Sequence, residues 1–149
     1  MLQTTQPSDL PLLAQLLDRA FGAGSWDEAR VEQALRADPS VLATYVVVRG
    51  GALVATASVL VLGEYPGSGY MHWVGADPDE QGKGLGTLVS LRVLRHFKEL
   101  GLRDAVLETQ TFRVAALRTY LRLGFVPEYY YGDPDGQLRW ARLLPQLCR

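Results

Sequence analysis

The stretch ADPDEQGKGLGTL, Ala76–Leu88, carries glycines at three alternate positions, Gly82, Gly84 and Gly86, with Lys83 between the first two. An apolar run, MHWV, precedes it and a long apolar-periodic segment follows. Strand, glycine-rich loop and helix in that order make a phosphate-binding arrangement. A helix start leaves about four backbone N–H groups unpaired and carries roughly half a positive charge. Glycines take φ > 0 and let the backbone approach a ligand closely. Together these give a concave set of donors for a pyrophosphate, to which Lys83 can add a charge-assisted contact. The same residues also make a plain flexible turn. Spacing excludes two phosphate motifs. Walker A needs G-x-x-x-x-G-K-[ST], and here the lysine sits inside the glycines. A dinucleotide fingerprint needs G-x-G-x-x-G almost directly after the strand, and here GADPDEQ intervenes.

The elements that must position this loop follow from periodicity. LQTT reads as a short strand. Ser8 or Asp9 caps a helix with Pro11 in its first turn and Leu10, Leu13 and Leu17 on one face. Ser25-Trp26-Asp27-Glu28 has capping-box spacing for a second helix, with Val31 and Leu35 apolar and Asp38-Pro39 ending it. TYVVVRGGALVATASVLV predicts two strands around an Arg49-Gly50-Gly51 turn. EYPGSG breaks the pattern, and YMHWV is another strand. From Leu85, apolar residues recur at helical spacing until Gly101. DAVLET is a strand. Val114, Leu117 and Leu121 mark a helix closed by Gly124. FVPEYYY and QLRWARLL read as two final strands around GDPDG. The order β-α-α-β-β-β-α-β-α-β-β predicts an α/β (α+β) fold: a mixed central sheet of about seven strands, covered on both faces by about four helices.

At 149 residues the chain is expected to be a single domain, 1–149. Its net charge of −1 removes the electrostatic argument for nucleic acid. The single cysteine, Cys148, excludes an internal disulfide and a cysteine metal cluster. The first residues lack a basic region followed by an apolar stretch, and no apolar run approaches about 18 residues. The reading therefore expects no metal and no membrane, and a cytoplasmic setting. A final strand able to pair with a second copy would allow a homodimer.

VGADPDEQGKGLGTLV resembles motif A of the GNAT superfamily of acyl-CoA-dependent N-acyltransferases, whose Q/R-x-x-G-x-G/A signature is met by Gln81, Gly84 and Gly86. RVAALRTYLRLGF resembles its motif B, N-x-x-A-x-x-x-Y-x-x-x-G-F, through Ala116, Tyr120, Gly124 and Phe125. The resemblance covers nearly the whole chain. It implies acetyl-CoA or a longer acyl-CoA as co-substrate, with the pyrophosphate on the amides of Gly82, Lys83, Gly84, Leu85, Gly86 and Thr87. It implies a pantetheine arm paired with the preceding strand near Trp73, Val74 and Ala76, where a backbone N–H can stabilise the oxyanion.

The resemblance also implies that Tyr120 is the general acid that protonates the departing thiolate. At about 100° per residue, Arg113, Ala116 and Tyr120 share a face rotated roughly 80–100° from the centre of the core stripe, which sets Tyr120 at the core's edge. Its hydroxyl, with an ordinary pKa of about 10, is protonated at neutral pH. Arg113 stands where the family has asparagine, so that cofactor contact is not carried over. An amine must lose a proton before attack, and the candidate bases are Glu108 on the strand before motif B, His72 on the pantetheine strand, and Glu64 in EYPGSG. The expected function is transfer of an acetyl group from acetyl-CoA to a primary amine by direct attack. Two other classes stay open: a non-catalytic CoA-binding or regulatory module, and a nucleotide-phosphate binder without acyl chemistry. The acceptor itself has no code in the sequence. Tyr129–Tyr131 with Trp140 can line its pocket or simply cover a sheet, Trp26 can be core or cleft wall, and Arg92, Arg95, His96 and Lys98 read as the solvated side of the long helix.

Overall fold

Five strands lie side by side in chain order: β1 (Leu2–Thr4), β2 (Val41–Arg49), β3 (Ala52–Leu60), β4 (Ser68–Ala76) and β5 (Asp104–Val106). The first four are antiparallel to their neighbours, and β5 joins β4 in parallel. This computed structural model describes residues 1–22, 24–128 and 135–147, in two compact units, Met1–Leu107 and Glu108–Arg149.

In the first unit, Gly50 and Gly51 turn β2 into β3 with φ of 57° and 80°. Two consecutive left-handed residues make the turn that matches strand twist, which is why both are glycine. Helices α1 (Leu10–Phe21), α2 (Glu28–Val31, continuing as a wider π turn over Glu32–Arg36) and α3 (Leu85–Glu99) flank the sheet. Leu13, Leu16 and Leu17 of α1 join Trp26, Val31, Leu35, Val46 and Leu53 in one buried cluster. Each such side chain contributes about 1.5–3 kcal/mol. Tyr45, the next residue on β2, points the other way, as alternation requires. Its hydroxyl lies 3.0 Å from His96 Nδ1 of α3, and the Arg92 guanidinium stacks 4.4 Å over its ring. Arg92 and His96 are thus half-buried packing groups, while Arg95 and Lys98 are exposed as expected of a solvated side. The two glycines of β4 record both contacts. A Cβ at Gly69 would meet the Phe97 ring of α3 at 2.3 Å, and one at Gly75 would meet Phe21 and Ala20 of α1 at 3.0–3.1 Å.

The second unit contains α4 (Val114–Arg122) and α5 (Gly136–Leu147), joined by Arg118 Nη2 donating to the Gln146 carbonyl at 2.9 Å. The end of α4 explains the spacing Y-x-x-x-G-F. Gly124 takes φ 92°, its N–H bonds Leu121 O at 3.1 Å, and the Phe125 N–H bonds Tyr120 O at 3.0 Å. The Phe125 ring then packs edge-on against Tyr120, with centroids 6.0 Å apart. This is a Schellman closure with its apolar contact.

Several expectations are corrected. QLRWARLL is helix, not strand: Trp140, Leu143, Leu144 and Leu147 recur at i, i+3, i+4 and i+7, and all are half-buried or buried, whereas Leu138 is exposed. Phe125–Glu128 is irregular, and Tyr129–Tyr131, most of GDPDG and Cys148 lie outside the described residues. The described sheet therefore has five strands rather than about seven, with five helices rather than about four. The mixed α/β class and the element order up to α4 stand. The cap of α2 is Asp27, whose Oδ1 accepts the Arg30 N–H, rather than Ser25.

Candidate active site

The loop between β4 and α3 is built from its ends inward. At its start Asp77 accepts the Asp79 N–H at 2.9 Å and caps a single 3-10 turn, Pro78–Glu80. At its end Gly84 takes φ 75° and caps α3 with no side chain of its own. The first bond of α3 runs from the Leu88 N–H to Gly84 O at 3.0 Å. The N–H groups of Leu85, Gly86 and Thr87 precede that closure and have no partner within the helix. A Cβ added at Gly82, Gly84 or Gly86 meets nothing within 4 Å among the described residues. The mouth of α3 is thus open on the side the glycines line, with donors and the positive end of a 15-residue helix behind it. The residues present fit a diphosphate.

Charge around the loop is tied down. Arg19 of α1 reaches Asp77 at 2.8 Å and Asp79 at 2.6 Å. Arg49, at the end of β2, reaches Glu80 at 2.7 Å, and Lys83 reaches the same carboxylate oxygen at 2.8 Å. Lys83 is therefore a partner of Glu80, a pairing its place among the glycines did not suggest. The hydrogen bond from Lys83, then that from Arg49, holds the Glu80 carboxyl below its ordinary range. A depressed carboxylate pKa means that this tether is complete at neutral pH and lost as pH falls through the Glu80 titration. Sequence reasoning missed Arg19 and Arg49, and no local signal marks them.

Before the loop, β4 carries a bulge: Ser58 pairs His72 and Thr56 pairs Gly75, so Trp73 and Val74 together oppose Ala57. Trp73 holds φ 50°, which a bulky side chain rarely adopts. Its ring is wedged edge-on between Trp26 (4.7 Å) and Phe21 (5.9 Å), and His72 packs 4.2 Å from it. Trp26 is core, 8% exposed, with Arg30 stacked 4.4 Å above it. Asp18 secures the backbone there, accepting N–H bonds from Ser25 and Trp26 at 2.8 and 3.0 Å. Among the described residues β5 pairs β4 only at Ser68–Tyr70, so no described strand pairs the outer edge from Met71 to Ala76. Trp73, Val74 and Ala76 lie on that edge and run on through Gln81 into the glycine mouth, so this group of sequence-selected residues is contiguous in the first unit.

Glu108 and Tyr120 belong to the second unit. Glu108 is exposed and lies beyond the end of β5 at Val106, not on the strand. Tyr120 is 7% exposed, more buried than Val114 or Leu121, so it sits inside the buried stripe of α4 rather than at its edge. Burial raises its hydroxyl to about 12, against a smaller lowering by Arg113. It is a neutral proton donor across the neutral range. Arg113 caps α4 by position, and its Nε donates to Gln110 Oε1 at 3.2 Å. Glu64 is exposed in the turn before β4.

A profile of the acetyltransferase (GNAT) family matches residues 10–125. The chain belongs to that family. This GNAT chain is 34% identical over 136 residues to a mycothiol acetyltransferase of Thermobispora bispora, covering 83% of this chain and 45% of that one. The chain spans about half the length, or less, of the curated relatives it matches. Among solved structures it is similar to the ribosomal-protein-S18-alanine N-acetyltransferase of Escherichia coli, with a TM-score of 0.72, 24% identity, and 91% and 86% of the two chains covered. It is also similar to AAC(6')-Iy solved with the bisubstrate analogue CoA-S-monomethyl-acetylneamine, with a TM-score of 0.72, 14% identity, and 89% and 97% covered. At these identities the two structural likenesses are of fold.

Proposed function

We propose that this GNAT chain is an acetyl-CoA-dependent N-acetyltransferase acting on a primary amine of a small molecule or peptide. The observation that carries the reading is the open glycine mouth of α3, where the N–H groups from Leu85 to Thr87 have no partner within the helix. Gln81, Gly82, Lys83, Gly84, Leu85, Gly86 and Thr87 bind the diphosphate of coenzyme A, and Trp73, Val74 and Ala76 offer to the pantetheine an edge that no described strand pairs. Acetyl-CoA supplies the thioester carbonyl on which the amine nitrogen forms its bond, with the coenzyme A sulfur leaving. A backbone N–H in the bulged stretch of β4 donates to the carbonyl oxygen as charge gathers there. Tyr120 donates its proton to the departing sulfur. His72 or Glu108 takes the amine proton, directly or through water.

The family profile runs from residue 10 to 125 across both units, which supports treating 1–149 as one acetyltransferase domain. No helix among the described residues is long and apolar enough to cross a membrane. A cytoplasmic setting belongs to the same reading, and the single cysteine is compatible with a reducing compartment.

The test is a panel of amino acids, polyamines, amino sugars, peptide N-termini and the acceptor of the mycothiol acetyltransferases, each offered with acetyl-CoA and scored by free thiol. The expected result is thiol release that depends on one acceptor class and matches the loss of that amine. No affinity for coenzyme A, with ATP or NAD binding instead, would contradict it.

A further inference from the structure

We propose that Arg19 and Arg49 are positioning residues for acyl-CoA: they pair the three carboxylates beside the mouth of α3, offsetting most of their charge, and hold the Pro78–Glu80 turn that precedes it. This rests on the reading of that mouth as the diphosphate site. The physical problem is plain. Asp77, Asp79 and Glu80 stand five to ten residues before the N–H groups of Leu85, Gly86 and Thr87 that must attract a doubly charged diphosphate. Like charge there opposes binding unless it is compensated. The compensation comes from outside the loop. Arg19 bridges Asp77 and Asp79 from α1, and Arg49 holds Glu80 from the end of β2.

The arrangement has a second consequence, at Lys83. Arg49 Nη1 and Lys83 Nζ share Glu80 Oε2, at 2.7 and 2.8 Å. When Lys83 swings to the diphosphate, Glu80 keeps a cationic partner. Arg49 thereby makes Lys83 exchangeable: without it, the ammonium would leave a bare carboxylate beside the anion. Neither arginine touches the ligand in this account. Each acts through the carboxylate it holds.

The test is calorimetric titration with coenzyme A of the wild type, R19Q, R49Q, D79N and R19Q/D79N, at two salt concentrations. The side chain of Arg19 is 50% exposed and that of Asp79 82%, so these are surface changes in a chain that keeps its fold. R49Q, on a different element, is an independent arm. R19Q is expected to weaken coenzyme A binding about tenfold, and R49Q by several-fold, with the loss narrowing as NaCl rises from about 0.05 to about 0.5 M. In turnover the loss falls on KM for acetyl-CoA more than on kcat. Removing the more exposed of the two carboxylates that Arg19 holds, in R19Q/D79N, recovers part of the affinity lost in R19Q, which a purely structural role of Arg19 would not allow. Wild-type affinity retained in both R19Q and R49Q overturns the proposal while leaving the acetyltransferase reading intact. So does a double variant as weak as R19Q. A wild type that does not bind coenzyme A overturns both.

Discussion

Tyr120→Phe is expected to lower kcat about 100-fold or more while coenzyme A binding stays within about twofold of wild type, since general acids contribute roughly 10²–10⁴-fold. The substitution removes one oxygen from a side chain that is 7% exposed and already packed edge-on against Phe125. The ring, its contact and the closure of α4 by Gly124 and Phe125 are all kept, so the loss is chemical rather than structural. The pH dependence follows from the same burial. A hydroxyl raised to about 12 stays protonated from neutral pH through pH 10, so loss of the acid produces no falling limb of kcat in that range. The sign for stability agrees: a raised tyrosine pKa favours the neutral form in the folded state, and its effect appears as lost stability only above about pH 10, where an unfolded tyrosine ionises. Single-turnover kinetics of the two proteins, with coenzyme A affinity measured beside them, check this. Equal kcat in the phenylalanine variant would remove Tyr120 from the chemistry, and unchanged binding with no activity in either protein would favour a non-catalytic coenzyme A module.

Gly84→Val is expected to weaken coenzyme A binding at least about 100-fold, equivalent to about 2.8 kcal/mol, with the chain still folded. Gly84 holds φ 75° at the cap of α3, where a side chain with a branched Cβ is strained. The conformational cost is about 1–2 kcal/mol, against a typical total stability of about 5–15 kcal/mol. A bare Cβ there meets no atom of the described residues within 4 Å, so the fold has room for one. The branched side chain instead occupies the mouth of the helix and tilts the cap that aims the N–H groups. Urea unfolding and calorimetry on the same preparation separate the two effects. Wild-type affinity in the valine variant would mean that the glycines are only a turn.

Both motifs were legible because their residues do local physics. Gly84 caps a helix, and the Tyr120, Gly124 and Phe125 spacing is the Schellman closure itself, so each motif can be read as geometry before it is read as family. Gly50-Gly51 was legible for the same reason. The last segment was misread because Leu138 and Trp140 alternate like a strand while Trp140, Leu143, Leu144 and Leu147 follow a helix, and Pro145 argues against either interior. Helix won because its four residues bury one stripe. Other features have no local mark. The bulge at Trp73 falls in the apolar run MHWV, and only the registers on either side reveal it. Arg19 lies 58 residues from Asp77, and Arg49 lies 31 from Glu80, so their pairings exist only once the sheet has formed.

The central claim is that backbone amides at the start of α3 hold the diphosphate of coenzyme A. Titration of ¹⁵N-labelled protein with coenzyme A tests it most directly. The account predicts saturable shifts at Gly82 to Thr87, largest for Leu85, Gly86 and Thr87, while the Gly50-Gly51 turn stays unmoved. Coenzyme A that binds with those three amides unshifted, or that does not bind, would contradict it.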